Sequence, residues 1–251
     1  MPDVAVVDFT CCEDSVRAAF DAAGGAETLK GFDRILLKPN LVNGSPFPIT
    51  THPDFTAAVI DAVRTCSDAP IVVAEGCGAA SMETDEVFEK LGYVAMAERL
   101  GVELLDLNHA ELVRRENPDC PVFPEMWLPE VASTHAVVSL PVLKAHSLAG
   151  VTGTLKNMMG FAPPSHYQGG GPWKKSSFHP QMHQAVIDLN RYVTPHLTIM
   201  DASVGMAEYH LGGPKCSPAV GKILAGTDPV ALDRKAAELL DIDWRTVDHL
   251  R

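Results

Sequence analysis

The sequence predicts an α/β fold, with a mostly parallel sheet flanked by helices and a ligand site at the carboxyl ends of its strands. Short β-branched apolar runs alternate along the chain with longer amphipathic stretches, which is the pattern of successive βαβ units. A chain of 251 residues is long enough to bury the core of one such domain. No internal repeat or low-complexity linker divides it, so residues 1–251 are expected to form a single domain.

The predicted strands are short apolar segments that end on polar or turn-forming residues. They cover 4–9, 34–38, 71–74, 102–106, 136–140, 197–200 and 222–225. Helical periodicity covers 14–23, 54–66, 84–100, 179–192 and 229–240. The helix at 54–66 has a clear start, because Thr51-His52-Pro53-Asp54 offers a cap, a first-turn proline and a first-turn acid. Asp228-Pro229 opens the last helix in the same way.

Two segments interrupt this alternation. Residues 161–178 contain two prolines in succession, a run of three glycines and the pair Lys174-Lys175. Long loops within a compact domain are usually functional lids or disordered insertions, so we expect a flexible loop that borders the site. Residues 113–130 contain four prolines and are expected to wrap the surface.

Composition excludes several classes of protein. The formal net charge of −12 repels phosphate backbones and anionic lipids, so neither nucleic acid nor membrane is an expected partner. No apolar run approaches the roughly 20 residues that span a bilayer, and Met1-Pro2-Asp3 does not open a signal peptide. The six cysteines form no CxxC pair, which disfavours a zinc finger or a self-contained iron–sulfur motif and favours reduced thiols in the cytoplasm.

Polar residues follow five of the predicted strands. In a parallel sheet the carboxyl ends of the strands share one edge, and open α/β folds bind their ligands at that edge. We therefore expect these side chains to lie along one edge. They are Lys38 with Asn40, Glu75, Lys144 with His146, Asp201, and Asp228. The residues expected to converge in one cleft are Lys38, Asn40, Lys144, His146, Lys156 and Asn157.

The densest polar segment is 141–160, which reads PVLKAHSLAGVTGTLKNMMG. Its glycines allow backbone N–H groups to approach a ligand closely, and Lys144 and Lys156 supply positive charge, which together suit a carboxylate or a phosphate. Thr152 and Asn157 add hydrogen-bonding groups. The segment is not a Walker A motif, because the GxxxxGK[ST] spacing is absent. The alternative is a flexible connection with solvated lysines.

Histidines are candidates for proton transfer or metal binding. His146 lies in the dense segment, and His179 follows the predicted loop. His179 and His183 are four residues apart and would share one helical face, but they lack the glutamate of an HExxH motif. A simpler interpretation of His183 is an ordinary core or surface histidine. No metal site is predicted.

Acids at strand ends have several interpretations. Glu75, Asp201 and Asp228 are each able to act as a base, as a metal ligand or as a partner that orients a lysine. Asp201 and Asp228 also fit turn and N-cap chemistry. Asp233 lies inside the last predicted helix, where we expect it to pair with Arg234 or Lys235 or to cap a loop.

In order along the chain, these motifs resemble the large bacterial and archaeal family known as domain of unknown function 362. The motifs that carry the resemblance are ILLKPNLV at 35–42, the Thr-His-Pro helix start, Glu75-Gly76, the segment 141–160, His179 with AVIDLN at 185–190, Met200-Asp201-Ala202 and AGTDPVALD at 225–233. The resemblance implies a link to redox chemistry, because many members carry a ferredoxin-like [4Fe–4S] module. This sequence lacks the clustered cysteines, so the iron–sulfur role does not carry over.

More distantly, the lysines and histidine beside glycine turns are similar to the cofactor domain of nickel-pincer lactate racemase. That similarity implies an α/β fold and would allow a bound organic or metal cofactor, but it does not identify a substrate or the cofactor itself.

Two hypotheses of function follow. In the first, the chain is an enzyme that binds a small carboxylated or phosphorylated molecule through its lysines and asparagines, moves a proton with His146 or His179, and uses an acid to anchor these groups. The lysines and asparagines are Lys38, Lys144, Lys156, Asn40 and Asn157. In the second, it is a metal- or cofactor-binding accessory protein of redox pathways without catalysis. The sequence leaves open whether the chain forms a homo-oligomer.

Overall fold

The computed structural model describes residues 4–251, so the expectation about Met1-Pro2-Asp3 lies outside the described residues. The strands, numbered β1 to β11, are Ala5–Asp8, Ile35–Pro39, Ile71–Glu75, Glu103–Asp106, Leu112–Glu116, Glu125–Pro129, Ala136–Leu140, Val142–His146, Gly150–Val151, Leu197–Met206 and Lys222–Gly226. The helices, numbered α1 to α10, are Cys12–Ala22, Gly25–Leu29, Pro53–Arg64, Thr84–Lys90, Tyr93–Leu100, Val131–Thr134, Gly153–Asn157, Pro164–Tyr167, Met182–Tyr192 and Pro229–Leu239.

The main sheet is large and mostly parallel, which confirms the predicted fold class. Its central order is β1-β11-β10-β7-β2-β3-β4, and β8 pairs with β10 on one side and β9 on the other. The neighbours β10-β7, β7-β2, β2-β3 and β3-β4 are all parallel. The strands β5 and β6 form a separate two-stranded sheet.

Each face of the main sheet carries its own hydrophobic cluster, since alternate residues of a strand point to opposite faces. On β2, Leu36 belongs to one cluster, together with residues of α7, α9 and α10. Ile35 and Leu37 belong to the other, together with residues of α1, α3 and α5. A strand buried on both faces reads as a continuous apolar run, which explains why the sequence identified the central strands well.

Four strands were missed because their sequences carry weak strand signals. The pair β5 and β6 lies in the proline-rich 113–130 region, and Lys144 and His146 make β8 read as a polar connection. The strand predicted at 197–200 extends to Met206. The helix predicted at 84–100 is two helices, α4 and α5. The helix predicted at 179–192 begins as an α-helix only at Met182, after a 3₁₀ segment over Ser176–Gln181.

The direction of strand β11 removes Asp228 from the expected site. Strand β11 is antiparallel to β10, so its carboxyl end lies at the opposite edge of the sheet from those of β2, β3 and β7. Asp228 follows β11 and therefore lies far from the predicted cleft. Its carboxylate instead accepts hydrogen bonds from Val230 N and Ala231 N at the start of α10. Asp228 is thus an N-cap and not a substrate-binding residue.

Residues 161–178 are more structured than the sequence suggested. They contain α8, and several of their side chains are buried, namely Phe161, Tyr167, Lys174, Lys175 and Phe178. The apolar anchors are too widely spaced to form a period, so the sequence pattern did not reveal them. The mobility of this segment stays a prediction.

No helix in the described part of the chain combines the length and the apolar character that crossing a bilayer requires.

Asp233 fixes the position of α7, the short helix that carries Lys156 and Asn157. Its buried carboxylate accepts hydrogen bonds from Thr154 N at 2.6 Å and Leu155 N at 2.9 Å. Gly153, the first residue of α7, has a φ of +53°. A Cβ at this position would lie 2.5 Å from the Asp233 carboxyl group. The expected surface pairing of Asp233 is therefore wrong, because the carboxylate points inward and caps α7.

We predict that Asp233→Ala lowers the free energy of unfolding by about 1–3 kcal/mol, because two buried N–H groups lose their acceptor. Denaturant unfolding measures the change. Glu238→Ala is the control on the same helix, and removing this exposed side chain should change stability by less than about 0.5 kcal/mol. Equal losses in the two variants would show that Asp233 does not hold α7.

Candidate functional site

A cleft of about 190 Å³ opens at the carboxyl ends of β2 and β3, between β8 and α7. The strand β8 pairs with the second half of β10, after β7 has paired with its start, and the last residue of β8, His146, lines the cleft. The polar residues that line the cleft are Asn40, Glu75, His146, Ser147, Lys156, Asn157, Lys175, His179 and His210. Its apolar residues include Val42, Leu148, Met159, Trp173, Tyr209 and Leu211.

A buried ion pair forms the floor of the cleft. Lys38 Nζ lies 2.9 Å from both carboxylate oxygens of Glu75, and both side chains are almost fully buried. Glu75 also accepts hydrogen bonds from Leu41 N at 2.9 Å and Gly76 N at 2.8 Å. Burial lowers the pKa of Lys38, while the Glu75 carboxylate opposes this shift. The pair is satisfied within the protein, so Lys38 is a structural cation rather than a ligand-binding one.

Asn157 connects this pair to the cleft. Its Oδ1 accepts from Lys38 Nζ at 3.3 Å and from Asn40 Nδ2 at 3.2 Å, and its Nδ2 donates to Lys38 O and Ser139 Oγ. The Asn40 Oδ1 atom is buried and has no hydrogen-bond partner among residues 4–251. Asn40 and Asn157 therefore lie together as predicted, and Asn40 keeps one free acceptor.

Gly160 allows the chain to cross over the ion pair. A Cβ at this position would lie 2.0 Å from Glu75 Oε1 and 2.7 Å from Lys38 Nζ. No side chain fits so close to a buried charge pair, so glycine is a requirement of the packing here.

Lys156 contributes a partly buried amine to the cleft. Its Nζ makes no hydrogen bond or salt bridge with any of the residues 4–251. Burial and the nearby charge of Lys38 lower the pKa of Lys156 to about 8. The amine is thus free to meet a ligand, as its sequence position predicted.

Three neutral histidines lie around the amine of Lys156. The rings of His146 and His210 stack with centroids 3.8 Å apart. Burial, together with the positive charge of Lys156, lowers the pKa of His146 and His179 and lowers that of His210 to about 3. His146 Nδ1 accepts from Leu148 N and Ala149 N, so the ring proton is on Nε2. His146 therefore offers the cleft a hydrogen-bond donor.

Lys175 and His210 are site residues that the sequence did not single out. Lys175 lines the cleft, and its Nζ donates to Asn108 Oδ1 and Ala162 O. Burial lowers the pKa of Lys175 to about 7. His210 follows β10 in an irregular stretch with no strand-end signal. The one clue to Lys175 in the sequence was the Lys174-Lys175 pair inside 161–178. It did not identify a site residue, because two adjacent lysines in a loop are usually solvated.

Five predicted site residues lie outside the cleft lining, namely Lys38 and Asp228, described above, and Lys144, Thr152 and Asp201. The Lys144 ammonium is buried beneath it and donates to Ile49 O, so it does not reach a ligand directly. Thr152 precedes α7, and its buried Oγ1 has no partner among the described residues. Asp201 lies inside β10 on the same face as Ile199. Burial of the Cys12 thiol, together with the negative charge of Asp201, raises the pKa of that thiol to about 11. Its carboxylate accepts from Ser203 N and Ser203 Oγ.

Metal-ligating groups are not assembled in the cleft. Among residues 4–251, one set of at least three such side chains has its ligating atoms within 4.8 Å of one another, namely Glu83, Asp106 and His109. This set lies outside the cleft lining, and Glu83 already pairs with Lys174 at 2.7 Å. His183, the other half of the predicted histidine pair, instead lies 2.8 Å from His249 through their Nδ1 atoms.

Comparison with known proteins supports the resemblance read from the motifs. The family model described as domain of unknown function (DUF362) matches residues 35–238. A thylakoid-associated protein of Synechocystis sp. is similar to this chain, with 27% identity over 245 residues that cover 93% of this chain and 71% of that protein. The matched range contains every residue named above as lining the cleft.

We predict that Glu75→Gln lowers the free energy of unfolding by about 3–5 kcal/mol, because it leaves the buried charge of Lys38 unpaired. Denaturant unfolding of the single variants Glu75→Gln and Lys38→Met and of the double variant completes a thermodynamic cycle. The double variant should lose less stability than the sum of the two single losses. Additive losses would show that the pair is not a coupled unit.

Proposed function

The chain belongs to the domain of unknown function (DUF362) family, and we propose that it is an enzyme that binds a small anionic molecule in the cleft described above. The observation that carries the proposal is the charge balance of the cleft. Glu75 is the one carboxylate in the lining, and it is already paired with Lys38. Lys156 and Lys175 therefore place positive charge in a partly desolvated site without a carboxylate of the protein to neutralise it.

An anion would restore that balance. Charges in a partly buried site interact more strongly than in water, so the unpaired ammonium of Lys156 favours a ligand that carries negative charge. The Nε2–H of His146 is available to donate a hydrogen bond to such a ligand. A carboxylate or phosphate group suits these partners, because both accept hydrogen bonds from amines and imidazole. The free Oδ1 of Asn40 is an acceptor, so it would suit a hydroxyl or N–H group elsewhere on the ligand.

The walls of the cleft limit the size and character of the rest of the ligand. An engineered protein cavity of about 150 Å³ holds benzene, so a cavity of about 190 Å³ suits a molecule of roughly eight non-hydrogen atoms. Leu148 and Tyr209 are exposed apolar side chains at its rim, and Trp173 lies beside them in the lining. We therefore expect a short apolar portion attached to the anionic group.

The histidines would supply proton transfer. His179 and His146 both line the cleft, and their lowered pKa values keep them neutral near pH 7. A neutral imidazole accepts a proton at one nitrogen and donates at the other, as general acid–base catalysis requires, and His179 would take this role. His146 would act as a donor through Nε2, because its Nδ1 accepts from Leu148 N and Ala149 N.

The second candidate is an accessory protein that binds an organic cofactor without catalysis. The aromatic side chains Trp173 and Tyr209 at the cleft favour it, because flat rings bind well against aromatic walls. Visible absorbance or a co-purifying small molecule would support this candidate over the enzyme. A cytoplasmic location without nucleic-acid or membrane partners is part of both proposals, given the net charge of −12.

We predict that small carboxylates, phosphate or sulfate stabilise the protein saturably in a thermal-shift titration, because a ligand that binds only the folded state raises its melting temperature. Lys156→Met should lose most of the effect at a given anion concentration, since it removes the free ammonium. The effect in the unmodified protein should also weaken as ionic strength rises.

The control for this titration is Lys235→Met, which removes an exposed lysine on α10 outside the cleft. It should respond to anions as the unmodified protein does. Equal responses in all three proteins would mean that Lys156 is an ordinary solvated charge, and the anion-site proposal would fail.

A further inference from the structure

Five buried or partly buried lysines surround the cleft, and they differ in what their amines contact. Lys38 binds Glu75, Lys144 donates to Ile49 O, Lys174 binds Glu83, and Lys175 donates to Asn108 and Ala162. Lys156 is the exception, because its amine has no acceptor among residues 4–251 and lines the cleft. The protein thus fixes four amines by hydrogen bonds and leaves one available.

The same amine is partly deprotonated near neutral pH. With a pKa of about 8, about one tenth of the Lys156 side chains are neutral at pH 7, whereas an ordinary lysine is neutral in fewer than about one in a thousand molecules. Burial and a neighbouring cation are the two conditions that activate lysine as a nucleophile.

We propose that Lys156 is a nucleophile that forms an imine with the carbonyl group of a small oxo acid bound in the cleft. The inference rests on the anion site proposed above. Lys175 gives two of its N–H groups to Asn108 and Ala162, and its third would hold the ligand's carboxylate while the carbonyl carbon faces Lys156. His146 and His179 line the same cleft.

The reaction balances without an oxidant or a reductant. The lone pair of the neutral Lys156 nitrogen forms a bond to the carbonyl carbon as the C=O π electrons move to oxygen. A histidine carries one proton from the nitrogen to that oxygen, which gives a carbinolamine. The C–OH bond then breaks, the oxygen leaves as water with the second amine proton, and the nitrogen lone pair forms the C=N bond.

The neutral histidines suit this sequence of steps. His146 donates through Nε2, because its Nδ1 is occupied by Leu148 N and Ala149 N, and it would stabilise the developing oxyanion. His179 is the more exposed of the two and is the better carrier of the proton between nitrogen and oxygen.

Borohydride trapping tests the inference. The 251-residue chain is incubated with pyruvate or glyoxylate and then with sodium borohydride, which reduces an imine to a stable secondary amine. Intact mass spectrometry should show one reduced adduct per chain, and peptide mapping should place it on Lys156. The rate of trapping with cyanoborohydride should rise with pH up to about 8 and then level off, because the neutral amine is the reactive form.

Lys156→Arg is the matched variant, because it keeps the positive charge and removes the nucleophile. It should retain the thermal shift with pyruvate and lose the adduct, and the exposed Lys235 provides an internal reference for non-specific labelling. Adducts of equal yield in Lys156→Arg, or adducts on other lysines alone, would overturn the imine.

The two proposals fail in different ways. If pyruvate stabilises the unmodified protein but no adduct forms, the imine is refuted and the anion site stands. If pyruvate, acetate and phosphate all fail to stabilise the protein and no adduct forms, both proposals are refuted.

Discussion

The buried ion pair between Lys38 and Glu75 is the constraint on which the rest of the site depends. Removing two charges from water costs several kcal/mol per ion unless hydrogen bonds satisfy the remaining lone pairs and protons. The protein meets this cost by bringing the ends of β2 and β3 together, directing Leu41 N and Gly76 N at the carboxylate, and placing Asn157 over the ammonium. The backbone of Gly160 passes directly above because any side chain would collide with the pair.

This pairing determines the electrostatics of the cleft above it. Since Glu75 is occupied by Lys38, no carboxylate in the lining remains for Lys156 or Lys175. Burial, reinforced by the positive charge of Lys156, lowers the pKa of His146, His179 and His210, so the imidazoles are neutral. A single buried pair thus leaves an available amine next to neutral histidines, which is the arrangement that both proposals use.

The floor and the rim of the cleft come from different parts of the fold. The floor is built from strand ends and from α7. Asp233, which lies on α10 much later in the sequence, anchors α7 by accepting hydrogen bonds from its backbone. The rim comes from residues 161–178 and from the irregular stretch after β10, which supply Trp173, Lys175 and Tyr209. The floor therefore fixes the chemistry, whereas the rim decides which anion fits.

The sequence by itself determined the fold class, the central strands, the family resemblance and the position of Lys38 and Asn40 at the end of one strand, because buried parallel strands read as apolar runs with polar ends. Only the tertiary structure decided the roles of individual residues. The antiparallel direction of β11 moves Asp228 to the opposite edge, and contacts between residues far apart in sequence bury Asp233 and recruit Lys175. Likewise, which lysine keeps a free amine depends on whether a distant oxygen lies within reach, as Glu75 does for Lys38 and Ile49 O does for Lys144. Local sequence patterns report conformation and burial, but they do not report strand direction or which distant groups meet.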